Sequence, residues 1–368
     1  MGLNEKFFKS AAGSSETGTF SSLLYTGDGT STAFDIGFKP DLNWIKSLAI
    51  KDHVVNSTVL GIGSQGGGNI LYPNGGYPLS TNADSSYFTS FDTLGFTLGG
   101  NSYYNGASQD YVAYSWKAGG NSHTFNINGV GSSSIPAALD NGAGNANPVA
   151  ASVGNGVGIY QFNNVAGAIT FKHALGVQPD VQIQKMTSGT SDWYIKSSSI
   201  MGGTSSQARQ MRFDSTIAEN GGGSLTSTNS IAGITGATHS VFVILFAQVS
   251  GKIRMGNYTG NGNSTGPRVY STDNASSGGA NGFTPALLFI KGYTDLEFGG
   301  AAWFLYDNKR NPTNPANRRL YPEGNYADQQ NSNYNLDLLS DGFQIKAGTA
   351  NYGFNNSNSK YMYWMFGE

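Results

Sequence analysis

His53, His123, His173 and His239 are the only imidazoles in the chain, and none is paired at metal-ligand spacing or set in a His-Glu-x-x-His run. They read as surface or structural groups. Cysteine is absent, which removes thiol nucleophiles, zinc-thiolate sites and disulfides together. Gly61-Ile62-Gly63-Ser64-Gln65-Gly66 matches the text of a dinucleotide loop. Gly67-Gly68-Asn69 follows, however, where that chemistry requires a helix N-terminus facing pyrophosphate, so the stretch reads as a loop. Glycoside hydrolysis needs only two carboxylates across a sugar, and Asp84, Asp92 and Asp110 are the trio least at odds with it. Asp92 recurs as Asp341 in a matching context, which marks it as a turn former. No catalytic residue, cofactor or metal site is expected, and the chain does not read as an enzyme.

Aromatic side chains carry a stronger signal. Tyr72, Tyr77, Tyr103, Tyr104, Tyr321 and Tyr326 stand among Gly, Asn and Pro, a setting that places them on surface loops. Exposed rings beside amides stack on sugars and form adaptable interfaces. Lys309-Arg310 and Arg318-Arg319 bracket Asn311 to Pro315 and form the one basic cluster. Arg310 and Arg318 join the tyrosines as recognition candidates, either as solvated charges or as a contact for an acidic polysaccharide or a partner subunit. Tyr25, Tyr258, Trp44, Phe96 and Phe343 recur at equivalent positions and are expected in the core.

The elements that position these groups follow from composition and pattern. Of 368 residues only 12% are charged, net charge is −2, and 52 are glycine. That balance excludes an electrostatic nucleic-acid binder, which needs clustered Lys and Arg. Twelve per cent aromatic content argues against disorder. Residues 1–20 lack the apolar stretch and cleavage signal of a secretory leader. The longest apolar run, Val241 to Ala247, is far short of the roughly 20 residues a membrane helix requires, so no membrane insertion is expected. It reads as a strand buried on both faces.

One pattern occurs three times. Gly37-Phe38-Lys39-Pro40, Gly176-Val177-Gln178-Pro179 and Gly282-Phe283-Thr284-Pro285 are each followed, after five intervening residues, by Lys46, Lys185 or Lys291. Proline lacks a ladder donor and fits where pairing has not begun, so each copy reads as a turn that launches a strand. Leu42 and Trp44, Val181 and Ile183, and Leu287 and Phe289 then alternate toward one face, with lysine closing the alternation. Gln182 and Gln184 suggest that the middle strand is half exposed. Upstream, Thr26-Gly27-Asp28-Gly29 and Thr259-Gly260-Asn261-Gly262 read as tight turns, with Asn163-Asn164 in the corresponding place of the degenerate middle copy. Tyr111 to Trp116, Ser240 to Phe246 and Tyr361 to Phe366 close the copies.

No described pattern sustains a helical period except a marginal one over residues 4–12. The fold class is therefore all-β, with three related antiparallel repeats over 21–120, 157–253 and 254–368, sandwich-like or closed into a pseudo-threefold body. The absence of any linker at 253/254 points to intimate packing. Residues 121–156 read as a Gly/Asn-rich linker or insertion, and 1–20 as an N-terminal arm anchored by Lys6, Phe7, Phe8 and Lys9.

Tyr258 to Gly262, Gly37 to Asp41, Trp44-Ile45-Lys46, Gly95 to Leu98 and Tyr111 to Lys117 together resemble a repeat family of bacteriophage virion proteins. Its members are tail-fibre-like proteins of phages that infect cyanobacteria and other marine bacteria. The resemblance implies a virion structural protein, assembled in the host cytoplasm and located in the tail. It further implies an arm bound to other tail proteins, a body that binds a host surface glycan or protein, and a homotrimer. A capsid-surface fibre or decoration protein and a tail adaptor share these expectations, and an envelope polysaccharide depolymerase is a more distant alternative.

Overall fold

The computed structural model describes residues 18–197, 200–201, 209–216, 220–221, 229–233, 238–274, 278–294, 302–346 and 353–368. Lys6, Phe7, Phe8 and Lys9 of the expected arm, and the helix expected over 4–12, lie outside them. Among the described residues there is no α-helix, only one 3-10 turn at Ser332–Tyr334, and no helix fit to cross a membrane. The protein is all-β.

The first repeat contributes β1 (Phe20–Thr26), β2 (Thr32–Asp35), β3 (Leu42–Ser47) and β4 (His53–Ser57). It continues with β5 (Phe88–Asp92), β6 (Gly95–Leu98) and β7 (Asp110–Trp116). Its main sheet has the order β1-β7-β3-β4, and β2-β6-β5 forms a second, smaller sheet. The second repeat region holds β8 (Phe125–Ile127), β9 (Val130–Ser132), β10 (Pro148–Gly154), β11 (Val157–Val165) and β12 (Ala168–Lys172). After these come β13 (Val181–Met186), β14 (Trp193–Ser197), β15 (Arg209–Arg212), β16 (Asn220–Gly221), β17 (Asn229–Gly233) and β18 (His239–Phe246). Strands β11-β18-β13-β14 repeat the order of the first sheet, and β10, β8 and β9 extend it beyond β11. The Gly/Asn-rich stretch 121–156 thus supplies added strands, with β8 parallel to β10. The third repeat runs through β19 (Ile253–Thr259), β20 (Arg268–Tyr270), β21 (Leu287–Thr294), β22 (Trp303–Asp307) and β23 (Arg318–Arg319). It ends with β24 (Gln329–Gln330), β25 (Leu336–Leu339), β26 (Gly342–Ile345) and β27 (Lys360–Phe366), and its main sheet is β19-β27-β21-β22.

Each closing strand is largely apolar past its first residues because it packs on both sides. Val112, Tyr114 and Trp116 of β7, Phe242, Ile244 and Phe246 of β18, and Met362, Trp364 and Phe366 of β27 all enter one common core. The alternate residues of each strand, such as Ala113, Val243 and Tyr363, enter three separate outer clusters. Period-two alternation therefore divides one strand between a shared interior and a private layer. At one end of the common core the rings of Trp116, Phe246 and Phe366 meet, with centroids 6.1, 5.5 and 5.2 Å apart pair by pair. The three repeats form one pseudo-threefold body around this contact.

Two expectations need correction. Gln182 and Gln184 are buried, not half exposed, because the outer layer of the second repeat covers β13; the amide of Gln182 donates to Gln184 Oε1 at 2.9 Å. Asn164 does take a positive φ of 56°, but it sits in a bulge of β11 between Phe162 and Val165 rather than in the hairpin turn.

Candidate recognition surface

The end opposite the Trp116, Phe246 and Phe366 rings is built by the hairpin turns of the main sheets. Lys46, Lys185 and Lys291 lie fully buried near it, on the inward face of β3, β13 and β21. Lys46 donates to Ser47 O and, at 2.8 Å, to Ala49 O. Lys185 reaches Gly76 O of the first repeat at 3.3 Å, and Lys291 reaches Ser215 O of the second at 3.0 Å. Burial pushes Lys46 down to about 7, helped by the Arg310 guanidinium and opposed by Asp328 and Asp52. Burial also pushes Lys185 down to about 8, against Asp214 and Asp192.

The residues paired across from these lysines are His53, Trp193 and Trp303. Trp193 Nε1 donates to Tyr72 O at 2.8 Å and Trp303 Nε1 to Arg212 O at 3.0 Å. Trp44 Nε1 donates to His53 Nδ1 at 2.9 Å, so Nδ1 is an acceptor and the proton resides on Nε2. Nε2 then donates to Tyr321 O at 3.1 Å. Each repeat thereby bonds the loop of another in cyclic order. Within each repeat the same loop turns back on its own strand: Asn74, Asp214 and Glu323 accept from the backbone N–H of His53, Trp193 and Trp303 at 2.8, 3.2 and 3.1 Å. Burial holds His53 well below its ordinary value, in keeping with a neutral ring.

These bonds fix the loops that carry the exposed tyrosines. Tyr72-Pro73-Asn74-Gly75-Gly76-Tyr77 and Tyr321-Pro322-Glu323-Gly324-Asn325-Tyr326 share a Tyr-Pro-x-Gly-x-Tyr pattern. In both, a turn closes from the Gly75 or Gly324 N–H to the Tyr72 or Tyr321 carbonyl, at 3.1 and 3.0 Å. The rings of Tyr77 and Tyr326 then lie over the bare α-carbons of Gly75 and Gly324: a Cβ there would come within 2.6 and 2.3 Å of the ring. Tyr72 meets Tyr77 edge-on at 6.1 Å, and Tyr321 meets Tyr326 edge-on at 5.8 Å. Tyr77 is 60% and Tyr326 53% exposed, which makes them the outward rings of each pair. The first-repeat loop rests on the second repeat, with Leu79 N–H on Thr187 O at 3.0 Å, and the third-repeat loop on the first, with Asp328 N–H on Leu48 O at 2.8 Å.

Tyr103 extends the first-repeat cluster, edge-on to Tyr72 at 6.5 Å, and Lys51 Nζ lies 5.1 Å from its ring centroid. Burial pushes Tyr72 up to about 12 and raises Tyr103 and Tyr321. Two candidates are corrected. Tyr104 is fully buried in the outer layer of the first repeat, where its hydroxyl donates to Asn56 Oδ1 at 2.8 Å and its carbonyl accepts from Tyr25. Arg310 is also buried, because its guanidinium neutralises Asp307 and Asp328 at 2.6 and 2.7 Å. Arg318 stays half exposed and is spent on Asp328 as well. Sequence reasoning overlooked Lys51 and exposed Ile50, both on the β3–β4 turn. It named the tyrosines singly, although the doubled Tyr-Pro-x-Gly-x-Tyr pattern was there to be found.

The carboxylates of Asp84, Asp92 and Asp110 are each held by local hydrogen bonds. Asp84 accepts from Ser86, Asp92 from Ser90 and Thr97, and Asp110 from Thr26. Each carboxylate is occupied in its own turn or strand pair.

The fold thus presents the exposed rings of Tyr77 and Tyr326 on hydrogen-bonded loops of a three-repeat β body. By sequence, residues 15–368 match the family described as Domain of unknown function (DUF7483), and the chain belongs to that family. No curated protein matches it. No solved structure does either.

Proposed function

We propose that the protein is a structural component of a bacteriophage virion, a tail fibre or receptor-binding subunit that recognises the host cell surface. The reading is supported by the opposed placement of two features. The described chain enters β1 at Phe20, whose ring stacks on Phe366 at 5.6 Å beside the Trp116 cluster. Tyr77 and Tyr326 project at the opposite strand ends. The arm expected over residues 1–20 would hold the body to other tail proteins from one end and leave the tyrosine loops facing outward. Low charge and amide-rich loops suit such a surface, because rings and amides bind glycans without net charge.

Adsorption of labelled protein to marine bacterial cells, cyanobacteria included, in competition with the phage, tests the reading. The full chain should bind and compete, Tyr77→Ala/Tyr326→Ala should lose binding, and removal of residues 1–17 should spare cell binding while abolishing incorporation into virions. Binding to capsids in place of cells would transfer the protein to the head surface. The mass in solution tests the homotrimer.

A further inference from the structure

The outer layer of the second repeat holds a cleft of about 620 Å³, at the same end of the body as the tyrosine loops. One wall is the loop carrying Asn145 and Asn147, another the β11 bulge with Asn163 and Asn164, and the floor is β12 at Ala168 and Thr170. The loop is set before any ligand arrives. Asn141 Nδ2 donates to Ala146 O at 2.7 Å, Asn141 N–H to Asn147 Oδ1 at 2.7 Å, and Asn145 Nδ2 to Asn141 O at 2.8 Å.

Strand β12 pairs on one side only, with β17. Its Lys172 N–H turns away from β17 to Asn141 Oδ1 at 2.8 Å. Antiparallel pairing alternates, so the backbone groups of Ala168 and Thr170 point the same way as those of Lys172, into the cleft. The lining therefore combines backbone donors and acceptors, carboxamides that do both, and small apolar faces, and among the described residues it carries no charged side chain.

We infer that this cleft binds a neutral saccharide of two or three rings, an inference that deepens the host-recognition reading by naming a ligand class at a second place. Hydroxyls both donate and accept, which matches the lining, and an uncharged wall offers nothing to an acidic sugar. The volume lies within the range of small-ligand sites. An extended peptide is the poorer fit, because the open edge ends where Asn141 takes Lys172.

The test is titration of the full chain with maltose, cellobiose, lactose and N,N′-diacetylchitobiose, followed by NMR at the Asn163 carboxamide and the Thr170 backbone amide. At least one sugar should give saturable shifts at both, with a Kd of about 1 mM. Ala168→Arg, on an exposed position, should weaken it at least about tenfold with an unchanged melting temperature, and Tyr77→Ala should leave it unaltered. No saturable shift with any of the four at about 50 mM overturns the inference. Protection of the Thr170 amide by an extended peptide but not by sugars also overturns it and assigns the edge to strand addition. Since cell adsorption is read on the tyrosine variants and sugar binding on Ala168→Arg, the two proposals fail separately.

Discussion

The hydroxyl of Tyr114 in the first repeat donates to Asp307 Oδ2 of the third at 2.6 Å, across 193 residues of sequence. Arg310 Nε donates to the same oxygen at 2.6 Å, and its Nη1 to Asp328 at 2.7 Å, so one buried guanidinium serves two carboxylates at the seam where the first and last repeats meet. Arg310→Met would leave the buried Asp307 carboxylate without its cation, while Asp328 keeps Arg318, and should cost about 3–5 kcal/mol in urea unfolding. Tyr114→Phe removes one donor of several and should cost about 1 kcal/mol. Equal losses for the two variants would deny Arg310 its place at the centre of the seam.

The buried lysines make stability depend on pH. Lys46 is pushed down to about 7 and Lys185 to about 8 from an ordinary 10.5. Above those folded values the unfolded chain binds more protons than the folded one, so stability rises as pH climbs from about 7 and levels off only as the unfolded lysines lose their protons. Lowering the pH reverses the gain. The urea midpoint should therefore be higher at about pH 9 than at about pH 6.5, and Lys46→Met and Lys185→Met should each flatten that difference. A difference undiminished in both variants would show that these amines do not titrate in this window.

Cyclic bonding through ring nitrogens predicts similar losses at the equivalent tryptophans of the second and third repeats. Trp193→Phe and Trp303→Phe keep an aromatic ring but remove the donors to Tyr72 O and Arg212 O. Each leaves a buried carbonyl short of a partner and should cost about 1–3 kcal/mol by thermal melting. Trp116→Phe is the control, since its Nε1 is buried without a hydrogen-bond partner and the change should cost less on this account.

Gly75→Ala and Gly324→Ala test how the outward tyrosines are held. The added methyl would meet the rings of Tyr77 and Tyr326, which are free to swing away, so stability should change by less than about 1 kcal/mol. Cell adsorption, in contrast, should fall as it does in the tyrosine variants. A full-strength binder with displaced rings would remove Tyr77 and Tyr326 from the recognition surface.

The repeats were legible because their cause is local: a Pro-led turn, a two-residue alternation and a closing lysine recur in order. The burial of Tyr25, Trp44, Phe96, Tyr258 and Phe343 followed from the same recurrence. The closure was legible only as one of two alternatives, and what it covers was not. Gln182 and Gln184 read as exposed because polarity was taken for solvent, whereas an outer layer folded from residues far along the chain covers them. Arg310 misled for a like reason, since its partner Asp328 lies beyond the loop that looked like a free basic cluster. Tyr104 and Tyr103 are neighbours in sequence, yet one fills the interior and the other meets Lys51 at the surface, a difference set by a turn and invisible in composition.

The cyclic bonds between repeats leave the body with no terminal unit. In an open array an end repeat can fray while its neighbours persist, and the array can grow or shrink by one. Here each main sheet has a neighbour on either side, so losing one opens two seams and bares the inner faces of the other two. The three units are expected to melt together, and a fourth has nowhere to enter. Variation is left to the loops outside the ring.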